Sequence, residues 1–373
     1  MGKILRKIIR KTIRKIISKT SRISFDSLNN EKQSEVLLID ENYSNIQDKN
    51  LPFKCSILDL RKFYVKCIPL NIFIYIIDRE AFKTLYLRKI FSKFDAKIII
   101  AHHLSAPSII NDDLFHNKIF LVYQIFGVSQ SIIEIYKKRK CDYFLSFNAH
   151  QSKLFKEKII GKILVSGSIS SNFKSAKEVK KTRSNVYKKI VYISEYRGWD
   201  RPDQDFLVKN LNLSCNSLGY KLDVALMSSR RDKKKKLSPQ LELGYFRSLD
   251  VDLPYEKIDS WVKASNADLI ISIQSNLGYE LFSHKKKVLF VCENKPYFLG
   301  EKSDLLWLPK PDLELLKSRI FELVELNNKS WQIHLENNYT EYLTGDPDNK
   351  VLFGLIDKVL SEQHMTDNHV CFK

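Results

Sequence analysis

Short apolar, β-branched runs alternate with amphipathic stretches along most of this chain, and the alternation predicts an α/β protein. Glu35–Asp40 (EVLLID), Ile72–Ile77, Ala96–Ala101 (AKIIIA), Lys118–Tyr123 (KIFLVY), Asp142–Ser146 (DYFLS) and part of Ile159–Ser168 (IIGKILVSGS) read as six strands. Continuous apolar runs of this length suit parallel strands buried on both faces. Ala81–Ser92 reads as a helix among them. A second series opens with the strand Lys189–Ser194 (KIVYIS) and a helix near Asp203–Leu218. It continues with strand Leu222–Met227, helix Ile258–Ala264, strand Leu269–Ile273, helix Leu277–Ser283, strand Lys287–Val291 and a strand near Asp304–Leu308. Helices Leu313–Leu326 and Lys350–Gln363 follow. The expected organisation is a first domain over 34–170, an interdomain linker over 171–188, a second domain over 189–311, C-terminal helices over 312–363 and a frayed tail over 364–373.

The first 22 residues follow a different rule. Ile4, Leu5, Ile8, Ile9, Ile13, Ile16 and Ile17 recur at helical spacing, and Lys3, Arg6, Lys7, Arg10, Lys11, Arg14, Lys15, Lys19 and Arg22 fill the other face. This predicts an amphipathic basic helix suited to an anionic membrane surface. Its apolar stripe can sink to the headgroup boundary while the cations pair with lipid phosphates. The same pattern fits a helix packed on the body of the protein or a basic nucleic-acid arm, but such an arm has no use for so regular an isoleucine stripe. Residues 23–33 read as a polar linker.

The chain carries a net charge of +19, and the leader holds nine of the positive charges with no acid. The milder excess elsewhere gives little support to nucleic-acid binding. Hydrophobic residues make up 44% of the 373, enough for a folded protein with a large core. No apolar run reaches the ~18 residues of a membrane-spanning helix, and no signal-peptide core stands near the start. Cys55, Cys67, Cys141, Cys215, Cys292 and Cys371 are scattered without metal-ligand spacing. They read as buried free thiols of a reducing, cytosolic protein.

Candidate chemistry lies where polar residues interrupt strand ends. Gln274-Ser275-Asn276 breaks the strand Leu269–Ile273 before a helix. Ligands of open α/β sheets bind at such carboxyl ends, where free N–H groups and the helix dipole attract phosphate. Successive amides of Ser275, Asn276, Leu277 and Gly278 are the expected phosphate cradle, with Gly278 allowing close backbone approach. Ser194, Glu195 and Arg197 follow another strand, and Ser229 and Arg230 a third. Arg197 is suited to gripping phosphate bidentately. Solvated loops are the competing reading for both segments. The chain has neither GxGxxG nor GxxxxGK[ST], so dinucleotide and P-loop readings lack their signals.

The stretch ADLIISIQSNLGYELFSHKKKVLFV resembles the donor half-site of bacterial surface-carbohydrate glycosyltransferases of the GT-B fold. DYFLSF, KILVSGSISSN and VYISEYRG resemble the passage between their domains, and YQIFGV resembles a Tyr-Gln-His-Gly step, with Ile125 and Phe126 in place of His-Gly. The resemblance implies two Rossmann-like domains facing across a cleft, a nucleotide-sugar donor used as substrate without a further cofactor, and a glycan or lipid-linked glycan acceptor. It also implies that Glu280 accepts hydrogen bonds from ribose hydroxyls. The base for the acceptor hydroxyl is then expected in the first domain, from His102, His103, Asp40 or Glu41, which end strands on the cleft side. No convincing DxD motif is present, and GT-B enzymes need no metal, so none is expected. The expected setting is the cytoplasmic face of the plasma membrane, in capsule or lipopolysaccharide synthesis. The rivals are a CDP-polyol phosphotransferase of the teichoic-acid type on the same fold, and a non-catalytic binding protein for membrane or nucleic acid.

Overall fold

The structure is a computed structural model. It describes residues 35–39, 55–58, 96–102, 118–124, 133–134, 139–169, 171–172, 187–196, 202–227, 238–254, 258–294, 296, 299, 305–344, 346 and 348–370. The basic leader, the expected strand Ile72–Ile77 and helix Ala81–Ser92, and the candidates Asp40, Glu41, His103, Arg197, Ser229 and Arg230 lie outside the described residues.

Two parallel sheets organise the chain. The first contains β1 (Val36–Ile39), β2 (Cys55–Leu58), β3 (Ile98–His102), β4 (Ile119–Tyr123), β5 (Arg139–Ser146) and β6 (Ile159–Val165), in the order β2-β1-β3-β4-β5-β6. The second contains β7 (Lys189–Ile193), β8 (Lys221–Ala225), β9 (Leu269–Ser272), β10 (Val288–Val291) and β11 (Trp307–Leu308), in the order β11-β10-β9-β7-β8. Every paired neighbour among these strands runs parallel. Each sheet grows outward in two directions from its first strand. The order reverses between β1 and β3, and again between β7 and β9. Loops leaving the two strands at a reversal part to opposite faces, which opens a crevice at the carboxyl edge.

Eight described helices cover the sheets: α1 (Ala149–Phe155), α2 (Pro202–Leu218), α3 (Pro239–Arg247), α4 (Ser260–Ser265), α5 (Asn276–Ser283), α6 (Leu313–Glu325), α7 (Asn328–Asn338) and α8 (Lys350–Val370). The runs LIIS and VLFV in β9 and β10 are buried at every position, as strands covered on both faces must be. Helix α5 seats Leu277, Leu281 and Phe282 in this core, and the ring of Phe282 meets Phe290 and Tyr339 edge-on. Trp331 of α7 pins the turn after α5 by donating Nε1–H to the Lys285 carbonyl at 2.8 Å. Cys141, Cys215 and Cys292 are buried free thiols, as expected. Burial pushes the Cys292 thiol up to about 11, so it packs as a neutral group.

The C-terminal helices do not form one unit. Leu316, Ile320 and Leu323 of α6 and Trp331 and Leu335 of α7 join the second core. Leu352, Leu355, Ile356 and Val359 of α8 instead join Val36, Ile98 and Leu121 of the first sheet. The chain therefore passes between its units twice, forward after β6 and back before α8. An apolar stripe reads the same whichever sheet it covers, so periodicity could not assign α8 to its partner. The strand β2 and the helices α1, α3 and α7 were not anticipated either. β2 and α1 are four and seven residues long, too short for a clear period.

A buried ion triad fastens the edge strand β8. Asp223 receives Lys263 Nζ of α4 at 2.7 Å and Lys189 Nζ of β7 at 2.9 Å. Burial raises the Asp223 carboxyl, but hydrogen bonds from the two lysines outweigh it and hold the pKa below its usual value. Its contribution is therefore full above the unfolded carboxyl pKa and is lost as pH falls through the lowered value. Asp223→Ala leaves Lys263 buried without its carboxylate. Urea unfolding at neutral pH is expected to show a loss of about 3 kcal/mol, and a loss under about 1 kcal/mol would contradict the triad.

Candidate functional site

The reversal between β7 and β9 is built from two short loops. β7 ends at Ile193, and the buried hydroxyl of Ser194 accepts from Tyr196 N at 3.2 Å, which turns the chain off the strand. Gln204, fully buried in the first turn of α2, accepts from Glu195 N at 3.2 Å and from Tyr192 Oη at 2.9 Å. Its Nε2 lies 2.9 Å from the Tyr245 hydroxyl, and the Tyr245 ring stacks on Tyr196 with centroids 4.7 Å apart. Glu195 then reaches across the reversal, where its Oε1 accepts from Gln274 N at 2.9 Å. The carboxylate thus clasps the loop after β7 to the loop after β9.

The second loop differs from its expected form. Ser275 N donates to Ser272 Oγ, Ser275 caps α5 by accepting from Leu277 N, and Gly278 N donates to the Ser275 carbonyl. The amides expected to cradle a phosphate are largely engaged within this turn. The amides of Gln274, Ser275, Leu277 and Gly278 bond within the protein, and the Asn276 amide takes no part in these bonds. A strand that becomes a helix within three residues must satisfy its own donors first. Asn276 is the exposed first residue of α5, at the positive end of the helix dipole. Leu277 belongs to the core. Gly278 is closely packed. A Cβ there would meet Ser272 Oγ at 2.5 Å and Phe290 Cε1 at 3.3 Å. Its missing side chain lets α5 lie on β9 and β10.

Glu280 sits one turn into α5, only 8% exposed. Its Oε1 accepts from Ser168 Oγ at 3.2 Å, and Ser168 belongs to the chain leaving the first sheet. One turn further, His284 Nε2 lies 3.1 Å from Ser171 Oγ. Glu280 therefore faces the junction of the two units. The junction itself is tied by asparagines with no solvent exposure: Asn172 Nδ2 donates to Asn349 Oδ1 at 2.9 Å, and Asn349 Nδ2 donates to the Ile169 carbonyl at 3.2 Å.

In the first unit His102 ends a strand, as expected. It is the last residue of β3 and is 3% exposed. Strand alternation puts it on the face of Ile98 and Ile100, where its ring meets Tyr123 edge-on at 6.3 Å. Gln124, the second residue of the YQ pair, is a structural clamp. Its Nε2 donates to Gln151 Oε1 at 2.7 Å and its Oε1 accepts from Phe147 N at 2.9 Å, joining the ends of β4 and β5 to α1.

The structure thus gathers Ser194, Glu195, Asn276 and Glu280 at one edge of the second sheet, with Ser168 reaching Glu280 from the first unit. Sequence reasoning missed Ser168, Ser171 and Gln204 as members of this neighbourhood, and weighed His284 only for polyol-phosphate transfer. Ser166-Gly167-Ser168 at a strand end beside the domain junction was the available signal. Among the described residues, no three His, Cys, Asp or Glu side chains come together to hold a metal. No described helix is long and apolar enough to cross a membrane.

No protein-family model matches the chain, and no curated protein sequence matches it. Solved structures do. The UDP-GlcNAc 2-epimerase from Neisseria meningitidis bound to UDP-GlcNAc aligns with TM-score 0.53 at 12% identity, over 88% of this chain and 99% of that one. The wall teichoic acid polymerase TagF (H548A) aligns with TM-score 0.54 at 12% identity, over 95% and 98% of the two chains. S. aureus MnaA with UDP aligns with TM-score 0.52 at 9% identity, over 86% and 95%. Likeness at such identity is likeness of architecture, and on it, together with the two parallel sheets and their reversals, the chain has the GT-B fold.

Proposed function

We propose that the chain is a glycosyltransferase that moves a sugar from a nucleotide-sugar donor to a surface glycan acceptor, with no further cofactor. The observation that carries this reading is Glu280, a buried carboxylate at the second sheet's reversal that faces the first unit. A carboxylate beside phosphate is repelled by it, whereas ribose hydroxyls donate to it well. Ribose at Glu280 leaves the phosphates for Asn276 and the N-terminus of α5, where the dipole favours the charge that develops on the leaving group. Arg197, Ser229 and Arg230, which follow β7 and β8 in sequence, are the further donor-binding candidates. The base for the acceptor hydroxyl is assigned to Asp40, Glu41, His102 or His103. In sequence they end or follow β1 and β3, the neighbours at the first sheet's reversal.

One screen tests the donor half. UDP and CDP are added separately to the full chain and thermal unfolding is followed. At about a hundredfold excess over Kd, the matching nucleotide stabilises by about 2.7 kcal/mol. Glu280→Ala is expected to remove most of that shift while the protein still folds. A melting temperature that neither UDP nor CDP raises would count against the enzyme reading.

Transfer of a polyol phosphate is the second reading, favoured by His284, which meets the first unit through Ser171. The products separate the two. Glycosyl transfer from a UDP-sugar breaks the sugar–oxygen bond and releases UDP, whereas polyol-phosphate transfer from CDP-glycerol breaks the diphosphate and releases CMP.

The basic leader is assigned to an anionic membrane surface, which brings the enzyme to a lipid-linked acceptor. Each cation near such a surface contributes roughly 1 kcal/mol. Deleting residues 1–22 is expected to release the protein from anionic vesicles in a flotation assay, with turnover on a soluble acceptor analogue retained. Unchanged flotation would assign membrane contact elsewhere.

A further inference from the structure

Ser168 is held as firmly as the carboxylate it touches. Gly167 before it adopts φ +73°, a left-handed conformation suited to glycine. A Cβ on Gly167 would meet Asn172 Oδ1 at 3.1 Å and the Thr344 carbonyl at 3.3 Å, so both passages of the chain crowd this point. Ser171 N donates to Ser168 Oγ at 3.4 Å, Asn172 N donates to the Ser168 carbonyl at 2.9 Å, and Ser171 Oγ donates to the same carbonyl at 3.1 Å. Below them, Asn172 Nδ2 donates to the Ser166 carbonyl at 2.7 Å and to Asn349. With its oxygen accepting from Ser171 N, the Ser168 hydroxyl has its proton directed at Glu280 Oε1.

The contact crosses 112 residues of sequence and joins the two units. Glu280 in α5 and His284 at its C-cap are four residues apart, and each meets a serine of the same crossover. A buried carboxylate is costly without donors, and a donor on one oxygen also fixes the plane of the group. The first unit thus contributes a donor to the orientation of Glu280.

We propose that Ser168 is a positioning residue of the nucleotide site: the first unit supplies the hydroxyl that orients the Glu280 carboxylate toward the ribose. The inference rests on the reading of Glu280 as the ribose acceptor. It adds that nucleotide affinity depends on the first unit, and so on the register of the two chain passages.

A double-mutant cycle on the full chain tests it, with UDP and CDP as probes and Kd read by calorimetry. Ser168→Ala is expected to weaken the nucleotide that binds by about tenfold, as loss of a hydrogen bond to a charged group does. In the Glu280→Ala background the same substitution is expected to change nothing further, a non-additivity that a general packing defect does not produce. If Ser168→Ala fails to fold, Ser168→Cys, close in size and a weak donor, takes its place in the cycle. If Glu280→Ala leaves Kd unchanged, the ribose reading fails and the inference with it. If Glu280→Ala weakens binding but Ser168→Ala does not, the ribose reading stands and the role of Ser168 is overturned. Equal weakening by Ser168→Ala in both backgrounds also overturns it, because the serine then acts through the fold alone.

Discussion

Two buried asparagine amides hold together the two passages of the chain between its parallel sheets. Asn172 and Asn349 have no solvent exposure, so each polar group must find its partner inside the protein. Asn349 meets that demand with a φ of 52°, a left-handed conformation that asparagine tolerates better than most residues. Asp346 adds to the knot by accepting from the amides of Lys350 and Val351, which starts α8 at the point where the chain returns to the first sheet. The position of Ser168 follows from this arrangement, and through Ser168 the setting of Glu280. The carboxylate at the second sheet's reversal is therefore coupled, through one hydrogen bond, to the packing of the two chain passages.

The architecture was legible because it rests on short-range patterns. KIVYI, LIIS and VLFV announce buried parallel strands by composition alone, and the polar break after LIIS announces the loop at the carboxyl edge. The reversals follow once the strands pair, since each sheet begins in its interior. What could not be read were relations between distant residues. Ser168 and Glu280, or Asn172 and Asn349, carry no local period that links them. Asp223 in β8 looks like a solvated charge until Lys189 and Lys263 are brought beside it.

The loop after β9 illustrates a different limit. Its Ser-Asn-Leu-Gly run is what an anion-binding turn and a tightly packed helix start both require. The structure assigns Gly278 to the packing of α5 on Ser272 and Phe290, and most of the loop's amides to the turn itself. His102 shows the same ambiguity: at the end of AKIIIA it could be the last buried residue of a strand or the first of a loop, and it is the former.

The central claim is that a nucleotide binds where α5 meets the crossover from the first unit. Hydrogen–deuterium exchange of the full chain with and without saturating UDP or CDP tests it most directly. Slowed exchange is expected in segments 272–284 and 166–172 together, because Glu280 and Ser168 share one hydrogen bond. Protection confined to surfaces away from both segments would contradict the account.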